Sequence, residues 1–440
     1  MARRFLNKKT HRFYFRDDDG KRKSYVLIFG DEVDTSNAAG ASGAGFKAVT
    51  YRGRRGEWKL PALTATRPTE MYFLDVGQGD AAFVVTPNNT KILVDGGLRE
   101  RALGFLIWKY RLDDPANSVT IDHLFVSHAD KDHVEGLIPL LEHPQITVGE
   151  IHHNGIGLFD SGPGFTTALG RHANGRLHTL HSSTSNLNGM DLASGNQAVF
   201  ADWIRAVRAS HASYGRLDRS DGALNVGDPA IEVEIVGPIL EPDGTLAWLK
   251  DKSHTINGHS LAFRLTHGNV RTFFSGDLNE EGSEQLLHVA SGALSVNAHI
   301  FKAPHHGSHE FSLELFEAVN PMLTVVSTGE VPDHGHPRAN FLGAIGGVSR
   351  GPEPLLFSTE LAALFVDDND SDAVANAGTD TSLADIANFS GISGIDARQR
   401  FKKVLPGIIN VRTDGQEIYA FRRVKQGYQW ESYGPIQPVL

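Results

Sequence analysis

Four side chains that commonly bind metal ions lie within six residues of one another, in the segment SHADKDHVEG: His128, Asp130, Asp132 and His133. The segment follows the apolar run IDHLFVS, which predicts a buried strand, and precedes VEGLIPLLEH, whose apolar spacing of three and four predicts a helix. A tight loop after a strand can direct alternate side chains into one concave site, and imidazole with carboxylate suits Zn, Mn or Fe. For this segment alone, the alternative is a solvated turn.

Further candidate ligands follow three other predicted strands. Asp277 follows VRTFFSG, the doublet His305 and His306 follows AHIFKAP, and His336 follows LTVVST within DHGHP. Functional groups of layered α/β folds collect where strands end, so we expect these side chains to converge with the first segment. For His336 alone, a hydrogen-bonded core histidine is the alternative.

The chain has no cysteine, which excludes thiolate-bound zinc, iron–sulfur clusters and a thiol nucleophile. Any transition metal must therefore bind to histidine, carboxylate or amide groups. No apolar run reaches the ~18 residues that a bilayer requires, and the basic start MARRFLNKKTHR has no apolar stretch behind it. We therefore expect a soluble, cytoplasmic protein that does not interact with membranes.

Three parts of the chain differ in composition and in predicted secondary structure. Residues 1–68 predict a small basic β-rich module, and residues 69–365 alternate strands and helices as in a catalytic α/β domain, with an insertion at about 155–222. Residues 366–440 predict an acidic mobile loop, mainly over 366–392, and then a β-rich extension.

Charge is segregated along the chain. The net charge is −10, yet residues 1–68 carry 15 basic against 7 acidic residues, and the tail from residue 398 carries 8 against 3. The overall charge argues against a general nucleic-acid binder, whereas the basic ends allow contact with a polyanion. Improved solubility is the alternative explanation of the basic start.

Seven motifs occur in a characteristic order: FLDVGQGDAAFV, ILVDGG, SHADKDHVEG, NGHSLAFRL, FSGD, FKAPHHGS and GHP. This series resembles the metallo-β-lactamase-fold domain of ComEC-type DNA-uptake proteins and their stand-alone soluble relatives, over about residues 71–340. The resemblance implies an α/β fold, a four-layer αββα sandwich with a metal site at one edge of its two sheets. It also implies a metal-dependent hydrolase of phosphodiesters. The transmembrane channel of the full uptake proteins has no counterpart here, so DNA import does not follow.

The resemblance also assigns metal ligands. His128 matches the first histidine of the HxHxDH motif, and Asp130 stands where that motif has its second histidine. Asp132 and His133 match the pair that binds a second metal, and Asp277 matches the carboxylate that bridges both ions.

The remaining ligand positions are less regular. One of His305 and His306 closes the second site, and we favour His306. Asn257 lies near a position where many relatives have a further histidine. The oxygen-rich first position that results favours Mn over Zn, or weak binding. Asp80 and Asp95 are expected to orient ligands.

The hypothesis is a metal-dependent phosphodiesterase or nuclease with two divalent ions, Zn or Mn, that generate a metal-bound hydroxide. Asp132 and Asp277 belong to its catalytic set, and His336 or His305 protonates the leaving group or holds a phosphate oxygen. Nucleic acid, DNA more than RNA, is the expected partner. The alternatives are hydrolysis of a small phosphodiester or ester beneath a lid formed by residues 155–222, and a non-enzymatic, metal-stabilised binding protein.

Overall fold

A computed structural model describes most of the chain. The described residues are 3–17, 19–35, 46–59, 62–160, 164–190, 197–289, 295–329, 335–351, 354–359, 364–365, 401–402, 407–423 and 430–438. The predicted mobile loop at 366–392 lies outside them.

The N-terminal residues form an antiparallel sheet of seven strands with its own core. Trp58, Phe13 and Leu27 are fully buried in this core. The strands are β1 (Arg3–Leu6), β2 (Thr10–Arg16), β3 (Arg22–Ile28), β4 (Glu32–Asp34), β5 (Phe46–Tyr51), β6 (Arg54–Lys59) and β7 (Leu63–Thr64), in the order β3-β2-β6-β5-β4-β1-β7. We call this sheet the basic module.

A nine-stranded mixed sheet follows. Its strands are β8 (Thr69–Phe73), β9 (Ala82–Val85), β10 (Lys91–Val94), β11 (Val119–Val126), β12 (Ile146–His153), β15 (Ser213–Arg216), β26 (Ile409–Thr413), β27 (Ile418–Arg423) and β28 (Trp430–Ile436), in the order β15-β12-β11-β10-β9-β8-β26-β27-β28. Strand β26 pairs with β8, so the last three strands continue the sheet that starts at residue 69. The division of the chain into three domains stays a prediction.

A second central sheet has seven strands. They are β16 (Ala223–Leu224), β17 (Ile231–Gly237), β19 (Ala262–His267), β20 (Val270–Phe274), β21 (Ile300–Lys302), β22 (Leu323–Val326) and β23 (Leu355–Ser358), paired in chain order. Two small sheets contain β13 (His172–Ala173), β14 (Arg176–Leu177) and β18 (Leu246–Ala247), and β24 (Leu364–Phe365) with β25 (Phe401–Lys402).

The helices are mostly short. They are α1 (Arg101–Tyr110), α2 (Lys131–Val134), α3 (Leu137–Leu141), α4 (Thr184–Asn188), α5 (Ala198–Ser210), α6 (Lys252–Gly258), α7 (Glu280–His288), α8 (Leu313–Val319) and α9 (Ala339–Val348), with 3-10 turns at Arg219–Asp221 and Pro304–Gly307. Among the described residues, no helix has the length and apolar character needed to cross a bilayer.

The two central sheets pack face to face. The ring of Phe263 lies 4.5 Å from that of Phe125 in the first sheet and 4.8 Å from that of Phe274 in its own. Successive residues of a strand point to opposite faces, so Leu124 and Val126 face α1, α3 and α5 on the outside of the first sheet. Helices α7, α8 and α9 cover the second sheet in the same way. The predicted αββα sandwich is confirmed.

Both central sheets contain a parallel block whose strands end at the same edge. Strands β10, β11 and β12 are parallel, and so are β20 to β23. Parallel strands place their carboxyl ends together, and ligands bind at such edges in open α/β sheets. The segments that follow β10, β11, β20 and β21 therefore meet at one edge of the sandwich.

Candidate functional site

Side chains from three distant segments converge at this edge. His133 Nε2 lies 3.4 Å from Asp277 Oδ2, and His306 Nε2 lies 3.1 Å from the same oxygen. Asp132 Oδ2 lies 3.3 Å from His306 Nε2, and the rings of His128 and His133 are 4.0 Å apart. Asp277 is thus shared by ligands from two loops that are more than 170 residues apart in the sequence.

Asp95 fixes the orientation of His133. The Asp95 carboxylate lies 3.0 Å from His133 Nδ1 and accepts the backbone N–H and the hydroxyl of Ser127, both at 2.7 Å. With its Nδ1 proton donated to Asp95, His133 directs Nε2 at Asp277 and Asp132, and in the neutral ring this nitrogen is the one with the free lone pair. A carboxylate behind a histidine commonly sets the tautomer of a metal ligand in this way. The expected orienting role of Asp95 matches these contacts.

The backbone carbonyl of Ser327 performs the same task for His306. It accepts a hydrogen bond from His306 Nδ1 at 3.0 Å, which leaves Nε2 directed at Asp132 and Asp277. Both His305 and His306 have left-handed backbones, with φ of 46° and 53°. Residues other than glycine seldom adopt this conformation, and it is found repeatedly at functional sites.

Asp277 and Asp132 are fixed through their backbones. Ser260 Oγ accepts the Asp277 N–H at 3.0 Å, while the Asp132 carbonyl accepts the Asp80 N–H at 3.3 Å. Gly79 has φ of 118°, and a Cβ there would lie 2.2 Å from the Asp132 carbonyl oxygen. Only glycine therefore lets the GQGD turn pack against the loop that carries Asp132.

A buried lysine closes the floor of the site. Lys302, at the end of β21, forms an ion pair with Asp80, and Asp80 Oδ1 lies 3.5 Å from His306 Nδ1. Both residues are almost completely buried. Burial alone would raise the pKa of Asp80, but the charges of Lys302 and His306 hold that pKa below its ordinary value.

The cluster carries an excess of negative charge. Burial would lower the pKa of His133, yet Asp277, Asp95 and Asp132 raise it well above the ordinary value. Burial would raise the pKa of Asp277, but positive charge on His306 and His133 holds it well below its usual range. The carboxylates thus favour positive charge in their midst, whether from protons or from bound cations.

The donor set fits divalent cations. The described residues offer no hydrogen-bond partner to Nε2 of His128, His133 and His306 or to Oδ1 of Asp277, all of which are buried. Buried polar atoms are rarely left without partners, so atoms that face a common centre indicate a ligand. The groups His128–His133–Asp277 and Asp132–His133–His306 each bring their donor atoms within 4.8 Å of one another. Imidazole and carboxylate together suit Zn or Mn.

Three of the other predicted site residues, Asp130, His305 and His336, lie beside this centre. Asp130 Oδ2 lies 3.6 Å from His128 Nε2, and Asn257 is buried in α6 with an Oδ1 that lacks a hydrogen-bond partner among the described residues. The His336 ring lies 5.9 Å from that of His305 and 6.4 Å from that of His306. The structure gives no contact of Asn257 with the carboxylates. The roles of these four residues stay predictions.

The basic module lies at the opposite end of the sheet. It borders a cavity of about 980 Å³ whose other walls include Lys91 and Thr120, at the starts of β10 and β11. From Val119 to Val126 the seven steps of β11 span about 23 Å at ~3.3 Å per residue. The described residues of the module therefore do not border the metal-binding edge.

Lys302, Ser127 and Ser260 were missed as site residues in the sequence. Lys302 had a usable signal, because a lysine within the buried strand IFK needs a nearby carboxylate. The two serines had none, since small polar residues at strand ends are common.

Comparisons with known proteins agree with this geometry. The model of the family "Metallo-beta-lactamase superfamily" matches residues 74–325, more than half of the chain. ComE operon protein 3 of Bacillus subtilis (strain 168) is 23% identical over 296 residues, covering 64% of this chain and 31% of that protein. The chain thus spans about a third of the length of that relative.

Two solved structures are also similar. A metallo-beta-lactamase from Cronobacter sakazakii with a mutated HARLDQ motif is 12% identical, with a TM-score of 0.27 over 52% of this chain and 75% of its own. The metallo-beta-lactamase SMB-1 bound to 2-mercaptoethanesulfonate is 14% identical, with a TM-score of 0.26 over 53% and 79%. On the match to residues 74–325, the chain belongs to the metallo-beta-lactamase superfamily.

Proposed function

We propose that the protein is a metal-dependent phosphodiesterase that acts on nucleic acid, DNA in preference to RNA. One observation carries the proposal: His128, His133, Asp132, Asp277 and His306 converge at one edge of the sandwich, and all of them except Asp132 have a buried donor atom without a partner among the described residues. The sequence resemblance to DNA-uptake proteins favours DNA as the substrate.

Two divalent cations in this cluster would supply Lewis acidity toward water and toward a phosphoryl oxygen. Asp277 would be among the residues that hold them, because its carboxylate lies within 3.4 Å of both His133 and His306. Asp95 and the Ser327 carbonyl accept the Nδ1 protons of the two imidazoles, so that Nε2 of each ring would be the atom that binds a cation once its proton is displaced. Lys302 balances the charge of Asp80 beneath them.

His305 and His336 are the proposed proton donors to the leaving oxygen. Their rings lie 5.9 Å apart beside His306, and neither belongs to the metal-binding groups. Burial lowers the pKa of His305, so at neutral pH its ring is neutral: it can hold a phosphate oxygen through its N–H, and it must first take up a proton before it can protonate the leaving oxygen.

Length and salt dependence identify the substrate class. About 23 Å separates the two ends of β11, which corresponds to about 7 base pairs at ~3.4 Å each. If the basic module holds the backbone, duplexes longer than this should be cleaved with steep salt dependence and shorter ones without it. If the cleavage rate depends only weakly on salt, and equally so for duplexes of every length, the substrate is a small diester instead.

The test compares metal-stripped protein reloaded with Mn or Zn on single- and double-stranded DNA, RNA and a chromogenic diester. Asp277→Ala is the blank, and Asp202→Ala, which removes an exposed carboxylate on α5, is the matched control. We expect metal-dependent hydrolysis by the wild type and the control only. Unchanged hydrolysis by Asp277→Ala would refute the site, and an absence of hydrolysis in every case would favour a binding protein.

A further inference from the structure

A second group of metal-binding side chains lies on neighbouring strands β11 and β12. His123 is in register with Glu150, and Phe125 is in register with His152. Residues two apart in a strand point to the same face, so His123, Glu150 and His152 share one face of the sheet. None of the three belongs to the site at the strand ends, and His123 precedes Ser127 by about 13 Å along β11 at ~3.3 Å per residue.

Three donor atoms form a nearly regular triangle. His123 Nδ1 lies 3.1 Å from His152 Nε2, and Glu150 Oε2 lies 3.5 Å from His123 Nδ1 and 3.6 Å from His152 Nε2. In a tetrahedral zinc site with bonds of about 2.0–2.1 Å, neighbouring ligand atoms lie about 3.3–3.4 Å apart. The three sides average close to this separation, so one ion can reach all three atoms at normal bond lengths.

Hydrogen bonds within the group do not include the carboxylate. One N–H can join the two imidazoles, but both nitrogen–oxygen distances to Glu150 exceed those of good hydrogen bonds. The His123 and His152 side chains are only 10% and 6% exposed, whereas that of Glu150 is 52% exposed. The group is therefore a nearly buried imidazole pair with a carboxylate at its solvent side.

We propose that His123, Glu150 and His152 bind a zinc ion, with the fourth position open to water. Two imidazoles and a carboxylate form a common three-ligand zinc set. Burial and the neighbouring His123 lower the pKa of His152 to about 4, which leaves its ring neutral and able to coordinate at neutral pH. The ion would join two adjacent strands, one of which leads directly into the SHADKDH loop.

The test measures zinc content after equilibrium dialysis of the chelator-stripped full chain against micromolar zinc. Glu150→Gln and His152→Gln should each hold about one zinc fewer per chain than the wild type. His178→Gln, which removes an exposed imidazole outside every metal-binding group, should match the wild type. Because Glu150 is half exposed, Glu150→Gln should fold normally and keep the diester hydrolysis of the wild type.

Crystals of the dialysed protein measured at the zinc absorption edge locate the ion directly. We expect an anomalous peak about 2.0–2.2 Å from all three donor atoms, absent in Glu150→Gln. Equal zinc contents in wild type and both variants, or no peak within the triangle, would overturn the proposal. Neither result depends on whether the protein hydrolyses phosphodiesters.

Discussion

Asp95→Asn tests whether the tautomer of His133 controls cation binding. The substitution changes neither size nor backbone strain, because Asp95 has φ of 56° and asparagine tolerates the left-handed region well. The Ser127 backbone N–H can still donate to the remaining oxygen. The amide group would then replace the oxygen that lies 3.0 Å from His133 Nδ1.

An amide N–H can only donate, so His133 Nδ1 must become the acceptor and the ring proton must move to Nε2. That nitrogen faces Asp277 at 3.4 Å and can no longer coordinate a cation. Removal of such a supporting carboxylate typically costs about 10–100-fold in metal affinity or activity, which is about 1.4–2.7 kcal/mol at a tenfold change per ~1.4 kcal/mol. We expect a loss of metal affinity in this range.

Calorimetric titration of the stripped protein with Zn or Mn measures the effect, together with hydrolysis of a chromogenic diester. Asp122→Asn is the matched control. Asp122 lies on β11, the strand that leads into the SHADKDH loop, and its carboxylate accepts the Lys91 backbone N–H rather than a histidine N–H. Wild-type metal affinity in Asp95→Asn would refute the reasoning.

Three further predictions concern stability and packing. Arg412→Met removes a fully buried guanidinium and its ion pair with Asp31 at 2.9 Å, while Asp31 keeps the Ile28 N–H and the Tyr51 hydroxyl. The loss should be about 3–5 kcal/mol in urea unfolding, and a loss below about 1 kcal/mol would contradict this. Burial lowers the pKa of His181 to about 4, so below about pH 6.5 the unfolded chain binds a proton there that the folded protein does not. The free energy of unfolding therefore falls between about pH 6.5 and about pH 4, by at most ~1.4 kcal/mol per pH unit, and is unaffected by His181 at higher pH. His181→Gln should flatten that part of the stability curve, and an unchanged slope would contradict the assignment. Gly79→Ala places a Cβ 2.2 Å from the Asp132 carbonyl and should lower the metal content by the ions held at the Asp132–Asp277 cluster, unlike the exposed control Gly175→Ala.

Strand ends were the most informative feature of the sequence. Asp277 and His306 could be placed near His133 because each follows an apolar run, and parallel strands must finish together. The αββα layer arrangement was inferred from the order of seven sequence motifs. No single apolar segment would have indicated it. Hydrophobic patterning alone would have left the strand order open.

Contacts that depend on register or on distant packing were not predictable. His123 and His152 each lie inside an apolar run, and only the pairing of β11 with β12 brings them together. Arg412 and Asp31 attach the basic module at the end of the sheet opposite the metal-binding edge, and no pattern in the sequence indicated this contact. The contact between the two histidines joins residues 29 positions apart, and the contact of Arg412 with Asp31 joins opposite ends of the sequence, so neither leaves a local pattern.

The pairing of β8 with β26 has a consequence for biosynthesis. Phe73 is aligned with Ile409, so the edge of β8 stays without its second neighbour until the ribosome has added more than 300 further residues. At about 5–20 residues per second this takes on the order of 20–70 s. During that interval an apolar strand edge is open to pairing with other nascent chains. Chaperones that shield exposed strands should therefore raise the yield of correctly folded protein.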